Sequence, residues 1–288
     1  MDKVLPLFKS HYSIGRSILT LFPRGSSDGV GPDSIIDICA DSGLKELYLV
    51  DDSMTGFMEA YHNASEANID LRFGLRVNIC EDISKKDKDY ARSESKCILF
   101  CKNRSGYERL LKISSVASTD GFYYMPRIDY SSLHKYWSDD DLIFIVPFYD
   151  SFIHKNKFSM GNIIPDFSQI KPKFFLENND LPFDSALRKH VLSYCEDKYE
   201  TQEVKSIYYK DKKDFPAYLT FRCISDSAPG RSKRTLAKPN FDHMCSNEFC
   251  FESWSKIVSG RKVSSAAKKV NPRDRYTNSS YHKLDGRV

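Results

Sequence analysis

Two periods of hydrophobic and polar residues take turns along this chain. Short, nearly continuous apolar runs, rich in β-branched and aromatic side chains, occur at ELYLV (46–50), LRFGLRVNI (71–79), CILFC (97–101), LIFIVPF (142–148), KFFLE (173–177) and EVKSIYY (203–209). Each reads as a buried strand. Between them, the pattern predicts helices over about 55–67, 105–117, 182–195 and 211–223. In the second, Tyr107, Leu110, Leu111 and Ile113 recur near the helical period, while Arg104, Glu108, Arg109 and Lys112 supply a polar face. Strands alternating with helices predict an α/β layer or barrel with parallel strands.

Two stretches interrupt the pattern. Residues 81–96 are too charged to be buried, and residues 22–33, FPRGSSDGVGPD, carry loop punctuation. Neither has the spacing of a phosphate-cradling loop or a dinucleotide fingerprint. After Trp254 the apolar density falls and no period persists, which predicts a disordered or loosely helical tail over 255–288.

Composition narrows the class. A chain of 288 residues with 41% apolar content can bury one substantial core. It has no apolar block of transmembrane or signal-peptide length, so it is expected in the cytoplasm and away from membranes. None of the eight cysteines forms a CxxC pair, which predicts buried, reduced thiols and argues against an all-cysteine zinc site. The formal charge of +4 hides an asymmetry: residues 256–288 hold nine Lys or Arg against two Asp, and the rest of the chain is slightly acidic. Such a tail is expected either to touch nucleic acid or another polyanion, or to be a solvated end.

The segment from Leu99 to Tyr130, LFCKNRSGYERLLKISSVASTDGFYYMPRIDY, reads as strand, Gly-Tyr turn, amphipathic helix and aromatic-basic loop. In that order it resembles the amino-terminal PHP (polymerase and histidinol phosphatase) domain of bacterial and phage DNA polymerase III alpha subunits. The resemblance covers about residues 4–254. It implies a distorted seven-stranded β/α barrel over 1–225, a segment leading toward a polymerase palm over 226–254, and the basic tail over 255–288. The chain ends 34 residues after Trp254, without palm acids, so it is expected to be inactive alone as a polymerase.

In metal-bearing members of that family, His, Asp and Glu at the carboxyl ends of the strands hold divalent metals for phosphoester hydrolysis. Around LFKSHYSIG the family's H-x-H positions fall on Leu7 and Lys9, with Tyr12 and Ser13 kept. In LYLVDDSMTGF the family Asp is Asp51, and its His is replaced by Asp52. The glutamate position in LRFGLRVNI is Arg76, and in EVKSIYY the Asp and His positions are Ser206 and Tyr208. The loss of imidazoles and the arrival of two cations imply a metal-free, non-hydrolytic site. His11, Asp51, Asp52 and Glu177 could still form a reduced site for one Mg2+ or Mn2+ ion, although Asp51 and Asp52 would also serve as caps of the following helix. Lys9, Arg16, Arg76 and Arg127 are expected around the old pocket, as candidates for phosphate or DNA binding or as partners of nearby acids. Phe122, Tyr123 and Tyr124 would stack on bases or pack beneath a loop.

Two functions follow from the resemblance. One is a non-catalytic module of a phage replicative polymerase in the bacterial host's cytoplasm, a scaffold for a separate polymerase chain or a proofreading partner. The alternative is a free-standing phosphoesterase or 3′–5′ exonuclease with a reduced metal site.

Overall fold

The computed structural model describes residues 4–86, 93–225 and 246–267. Its elements are β1 (Leu5–Phe8), α1 (Ile35–Asp41), β2 (Glu46–Asp51), α2 (Phe57–Glu66), β3 (Asp70–Cys80), β4 (Glu94–Cys101), α3 (Arg104–Ser118), β5 (Arg127–Asp129), α4 (Tyr130–Tyr136), β6 (Leu142–Val146), α5 (Phe152–Phe158), β7 (Lys173–Leu176), α6 (Asp184–Cys195), β8 (Thr201–Ile207), α7 (Phe215–Ser225) and α8 (Phe251–Ala267). Hydrogen bonding runs in the order β2-β1-β8-β7-β6-β4-β3 and closes through the β2–β3 pair, giving a seven-stranded barrel with β5 appended outside β3. This is the α/β barrel that the alternating pattern and the family resemblance imply.

The strand period of two explains both the barrel's interior and its chemistry. Leu7, Val50, Ile98, Phe100, Ile145, Phe175 and Val204 form one buried cluster, the barrel's inner core. Following the same rows toward the carboxyl ends of the parallel strands, Leu7 leads to Lys9, Val50 to Asp52, Phe175 to Glu177, and Val204 to Ser206 and Tyr208. Each inward row thus begins apolar and ends polar, and the ends converge at one mouth. Gly74 on β3 belongs to this packing: a Cβ there would lie 2.9 Å from Ile98 Cγ2 and 3.0 Å from the Phe100 ring. A second, larger cluster lies between the barrel and its helices and contains Phe8, Leu49, Phe73, Leu99, Leu110, Ile113, Phe144 and Phe174.

The strands are not all parallel. β4 pairs antiparallel with both β3 and β6, whereas the other barrel neighbours are parallel. Residues 81–93 join β3 to β4 without a crossover helix among the described residues, and a direct return reverses strand direction. The expected loop over 81–96 is accordingly shorter, because Glu94, Ser95 and Lys96 already belong to β4. Glu94 is buried despite its charge because it pairs with Arg127 at 3.0 Å. Helices α1, α4 and α5 are too short to show a sustained period in the sequence.

The Asn-x-x-Gly-Tyr turn has a local cause. Asn103 caps α3 by accepting from the Gly106 N–H at 2.8 Å, and its side-chain amide donates to Asp141 at 3.0 Å. Gly106 then passes so close to the chain that a Cβ would sit 2.2 Å from the Asp141 carbonyl oxygen. Gly106→Ala is expected to cost about 1–3 kcal/mol through this overlap. Chemical denaturation checks it, and an unchanged midpoint would show that the turn yields freely.

Past Trp254 the chain is helical as far as Ala267, one of the two states expected of it, while residues 268–288 lie outside the described residues. The reason is packing: Phe251, Ile257 and Val258 lie against the main core, and buried Trp254 donates its indole N–H to the Val4 carbonyl at 3.0 Å. Residues 246–254 are also bound to the body, through Tyr208 N–H to the Phe249 carbonyl and Phe251 N–H to the Tyr209 carbonyl. Among the described residues seven cysteines are free, and burial pushes the thiols of Cys39, Cys80 and Cys97 up to about 12. No described helix is long and apolar enough to cross a membrane.

Candidate functional site

The mouth at the strand ends holds a network of alternating charge. Lys9 lies 3.2 Å from Asp52, Arg76 lies 3.7 Å from the same Asp52 oxygen, and a second Arg76 nitrogen donates to Asp150 at 2.6 Å. The topology explains the meeting. Lys9 follows β1, Asp52 follows β2, and Arg76 comes level with them because Leu75 pairs with Asp51. Asp150 follows β6, and its carbonyl accepts from the Lys96 N–H at 2.8 Å.

Electrostatics in this crater are set by desolvation against paired charge. Burial would raise the Asp52 carboxyl, but Lys9 and Arg76, helped by Lys96 and Arg16, outweigh it and hold it well below the usual carboxylate range. Burial is likewise overcome by Arg76 at Asp150, which also ends well below its ordinary value. The lysines gain less. Burial lowers the Lys9 ammonium in spite of Asp52, and burial reinforced by Arg76 brings Lys96 down to about 8. Beside the network, burial pushes the Tyr208 phenol up to about 12, with Glu177 contributing.

Other acids at the mouth are committed elsewhere. Asp51 is fully buried and accepts from the Ser10 N–H at 2.9 Å, the Ser10 hydroxyl at 2.6 Å and the Ser13 hydroxyl at 2.8 Å. It therefore ties the turn after β1 to β2, where the sequence suggested a helix cap; the N-cap of α2 is Gly56, with no side-chain cap. Glu177 accepts from the Ser206 N–H and hydroxyl at 3.1 and 3.0 Å and from Asn179 at 2.9 Å. Its carboxyl is raised by burial, against those hydrogen bonds.

The residues of the expected metal set lie in different settings. His11 packs against the Tyr12 ring at 4.4 Å, Asp51 is held by serines, Asp52 faces Lys9, and Glu177 faces Ser206. Among the described residues, no group of three or more His, Cys, Asp or Glu is placed to hold a metal ion. An ammonium and a guanidinium occupy the space between the crater's carboxylates instead. At ~4 Å and an effective dielectric of ~20, each unit cation repels a divalent ion by about 8 kcal/mol, twice the unit-charge figure. A magnesium or manganese ion does not fit this donor set.

Of the four expected phosphate ligands, Lys9, Arg16 and Arg76 line one cavity of about 160 Å3. Arg127 does not. It is 1% exposed and lies outside the crater, where β5 pairs with β3. There it donates to Glu94 at 3.0 Å, to the Gly121 and Ile83 carbonyls at 3.1 Å, and to the Lys85 carbonyl at 3.3 Å. Its guanidinium also covers the Tyr123 ring at 5.1 Å, so this aromatic-basic loop is built around a structural arginine. Phe122 and Tyr124 remain exposed. The sequence reading missed Lys96, Asp150 and Arg222, all of which belong to or line the crater. Lys96 was legible only through the antiparallel register of β4, and Arg222 comes from α7, remote in sequence.

Fold and site together define a closed seven-stranded β/α barrel with a charged crater at its strand ends. The profile of the PHP domain family matches residues 26–170, half of the chain, and the protein belongs to that family. It is similar to the DNA polymerase III subunit alpha of Borreliella burgdorferi, 35% identical over 86 residues, 29% of this chain and 8% of that protein. The subunit of the same name from Chlamydia pneumoniae is 34% identical over 97 residues, 33% of this chain and 8% of that protein. The one from Helicobacter pylori is 33% identical over 95 residues, again 33% and 8%. The matched stretch thus spans less than a tenth of the length of these curated relatives.

Proposed function

We propose that this chain is a non-catalytic PHP module of a phage replicative DNA polymerase, serving as a scaffold for a separate polymerase chain or a proofreading partner. The observation that carries this reading is the pairing of Lys9 and Arg76 with Asp52 and Asp150 in the crater. Cations set against carboxylates give the barrel mouth a defined structure without a metal, and Asp52 and Asp150 are engaged by Lys9 and Arg76. The similarity to DNA polymerase III alpha subunits supports a setting in DNA replication. Exposed apolar side chains, among them Ile14, Val30, Met58 and Ile164, are candidates for the contact with the polymerase chain.

The test is activity and stability against metal. The purified chain is expected to show no nuclease or phosphoesterase activity with manganese or magnesium, and its melting temperature is expected to be the same in EDTA as in either metal. Manganese-dependent cleavage of single-stranded DNA that disappears in Asp52→Asn would overturn the reading in favour of a hydrolase. Sedimentation with a replicative polymerase chain then tests the scaffold role, which requires a stable complex.

A further inference from the structure

We infer that the crater binds a tetrahedral oxyanion, inorganic phosphate or the terminal phosphate of an ester, through Lys9, Arg16, Arg76 and Arg222. Lys9 is the key observation. It is 4% exposed and its Nζ lies 3.2 Å from Asp52 Oδ1, yet neither atom has a hydrogen-bond partner among the described residues. A buried ammonium with unused donors is costly, and an acceptor oxygen beside it removes that cost.

The surroundings suit an anion. The cavity of about 160 Å3 is lined by four Lys or Arg side chains and, among its described lining residues, by one carboxylate, Asp150. Arg76 already holds Asp150 at 2.6 Å, so the acid next to the cavity is paired. His154 accepts from the Asp150 N–H at Nδ1, 3.3 Å away, which leaves Nε2 to carry a proton as a further donor. The adjoining space, of about 40 Å3, shares Lys9, Arg76, Tyr149 and Tyr208 and is floored by Phe8, Val50 and Ile98. That apolar floor keeps the local dielectric low and strengthens charge-assisted hydrogen bonds above it.

Charge narrows the ligand: four cationic side chains against one paired carboxylate favour an anion, and an ester would enter by its phosphate. The site uses cations for the phosphate group where hydrolytic relatives by resemblance use metals.

Calorimetric titration of the full chain at fixed ionic strength tests this, with sodium phosphate in one arm and adenosine 5′-monophosphate in the other. Saturable binding of phosphate alone would assign the free ion, and binding of both would assign a terminal phosphate; either supports the inference. Lys9→Met is expected to weaken binding about tenfold or more, by loss of a charge-assisted hydrogen bond. Arg16→Gln, at a partly exposed position, is the second variant should Lys9→Met fail to fold, and a similar loss is expected. Absence of saturable binding in both arms, or equal affinity in wild type and variants, would overturn the proposal. The inference is independent of the scaffold reading, because binding is measured on the isolated chain and partner association on the complex.

Discussion

Replacing Arg127 by Met is expected to lower folding stability by about 3–5 kcal/mol, the cost of breaking a buried ion pair from one side. Arg127 and Glu94 are 1% and 6% exposed, and their contact at 3.0 Å is supported by bonds from the guanidinium to three backbone carbonyls. Met fills part of the volume but leaves Glu94 as an unpaired buried carboxylate and strips a donor from Gly121, Ile83 and Lys85. Removing both charges, as Arg127→Met with Glu94→Leu, should recover a substantial part of the loss. Urea denaturation of the two single variants and the double variant forms the cycle. A loss below about 1 kcal/mol for Arg127→Met would mean that water reaches the pair and that the arginine is available for other work.

Lys96→Met is expected to act in the opposite direction, stabilising the protein at pH 7. Burial and Arg76 disfavour the Lys96 ammonium, whose ordinary value of 10.5 falls to about 8, so the folded state binds its proton less well than the unfolded state. The penalty is fully present below about pH 8 and is relieved as pH rises toward 10.5. Its ceiling is about 3 kcal/mol, at 1.36 kcal/mol per unit. Lys9, Arg16 and Arg76 share the crater's positive field, and Asp52 and Asp150 oppose it. Total stability need not rise with pH, because buried thiols such as Cys39 and Cys97 resist ionisation in the fold and favour the unfolded state at high pH. The difference between variant and wild type isolates the lysine: it should be largest near pH 7 and shrink toward zero by pH 10.5. A pH-independent difference would assign the effect to packing instead.

Much of the barrel was legible because buried strands and amphipathic helices each carry their own period. The runs at 46–50, 71–79, 97–101, 142–148, 173–177 and 203–209 all lie on strands or their immediate ends. Strand direction was not legible, since an apolar run such as CILFC looks the same in either orientation. The antiparallel β4 follows β3 with no crossover helix among the described residues between them. The first turns of the helix after Trp254 are held by four apolar residues and one indole hydrogen bond to Val4, contacts that no local period announces.

The site divides in the same way. Lys9, Asp52 and Arg76 could be found from motif positions because they stand at the ends of inward rows. Arg127 could not be assigned correctly by its motif, because the same Pro-Arg-Ile-Asp sequence serves a buried pair with Glu94, which lies beyond α3 at the start of β4. Asp51 does not cap the following helix, since Ser10 and Ser13 take its oxygens. Motif position located these side chains, and only the packing told which partner each one meets.

The hydrogen bond from Trp254 to Val4 brings the two ends of the barrel body together. For protein architecture this means that the entry into β1 and the first turn of α8 are neighbours in space, although 250 residues separate them. A circular permutant with new ends in the exposed stretch 22–32 and a linker long enough to span the rest of α8 should keep that contact and fold to the same barrel.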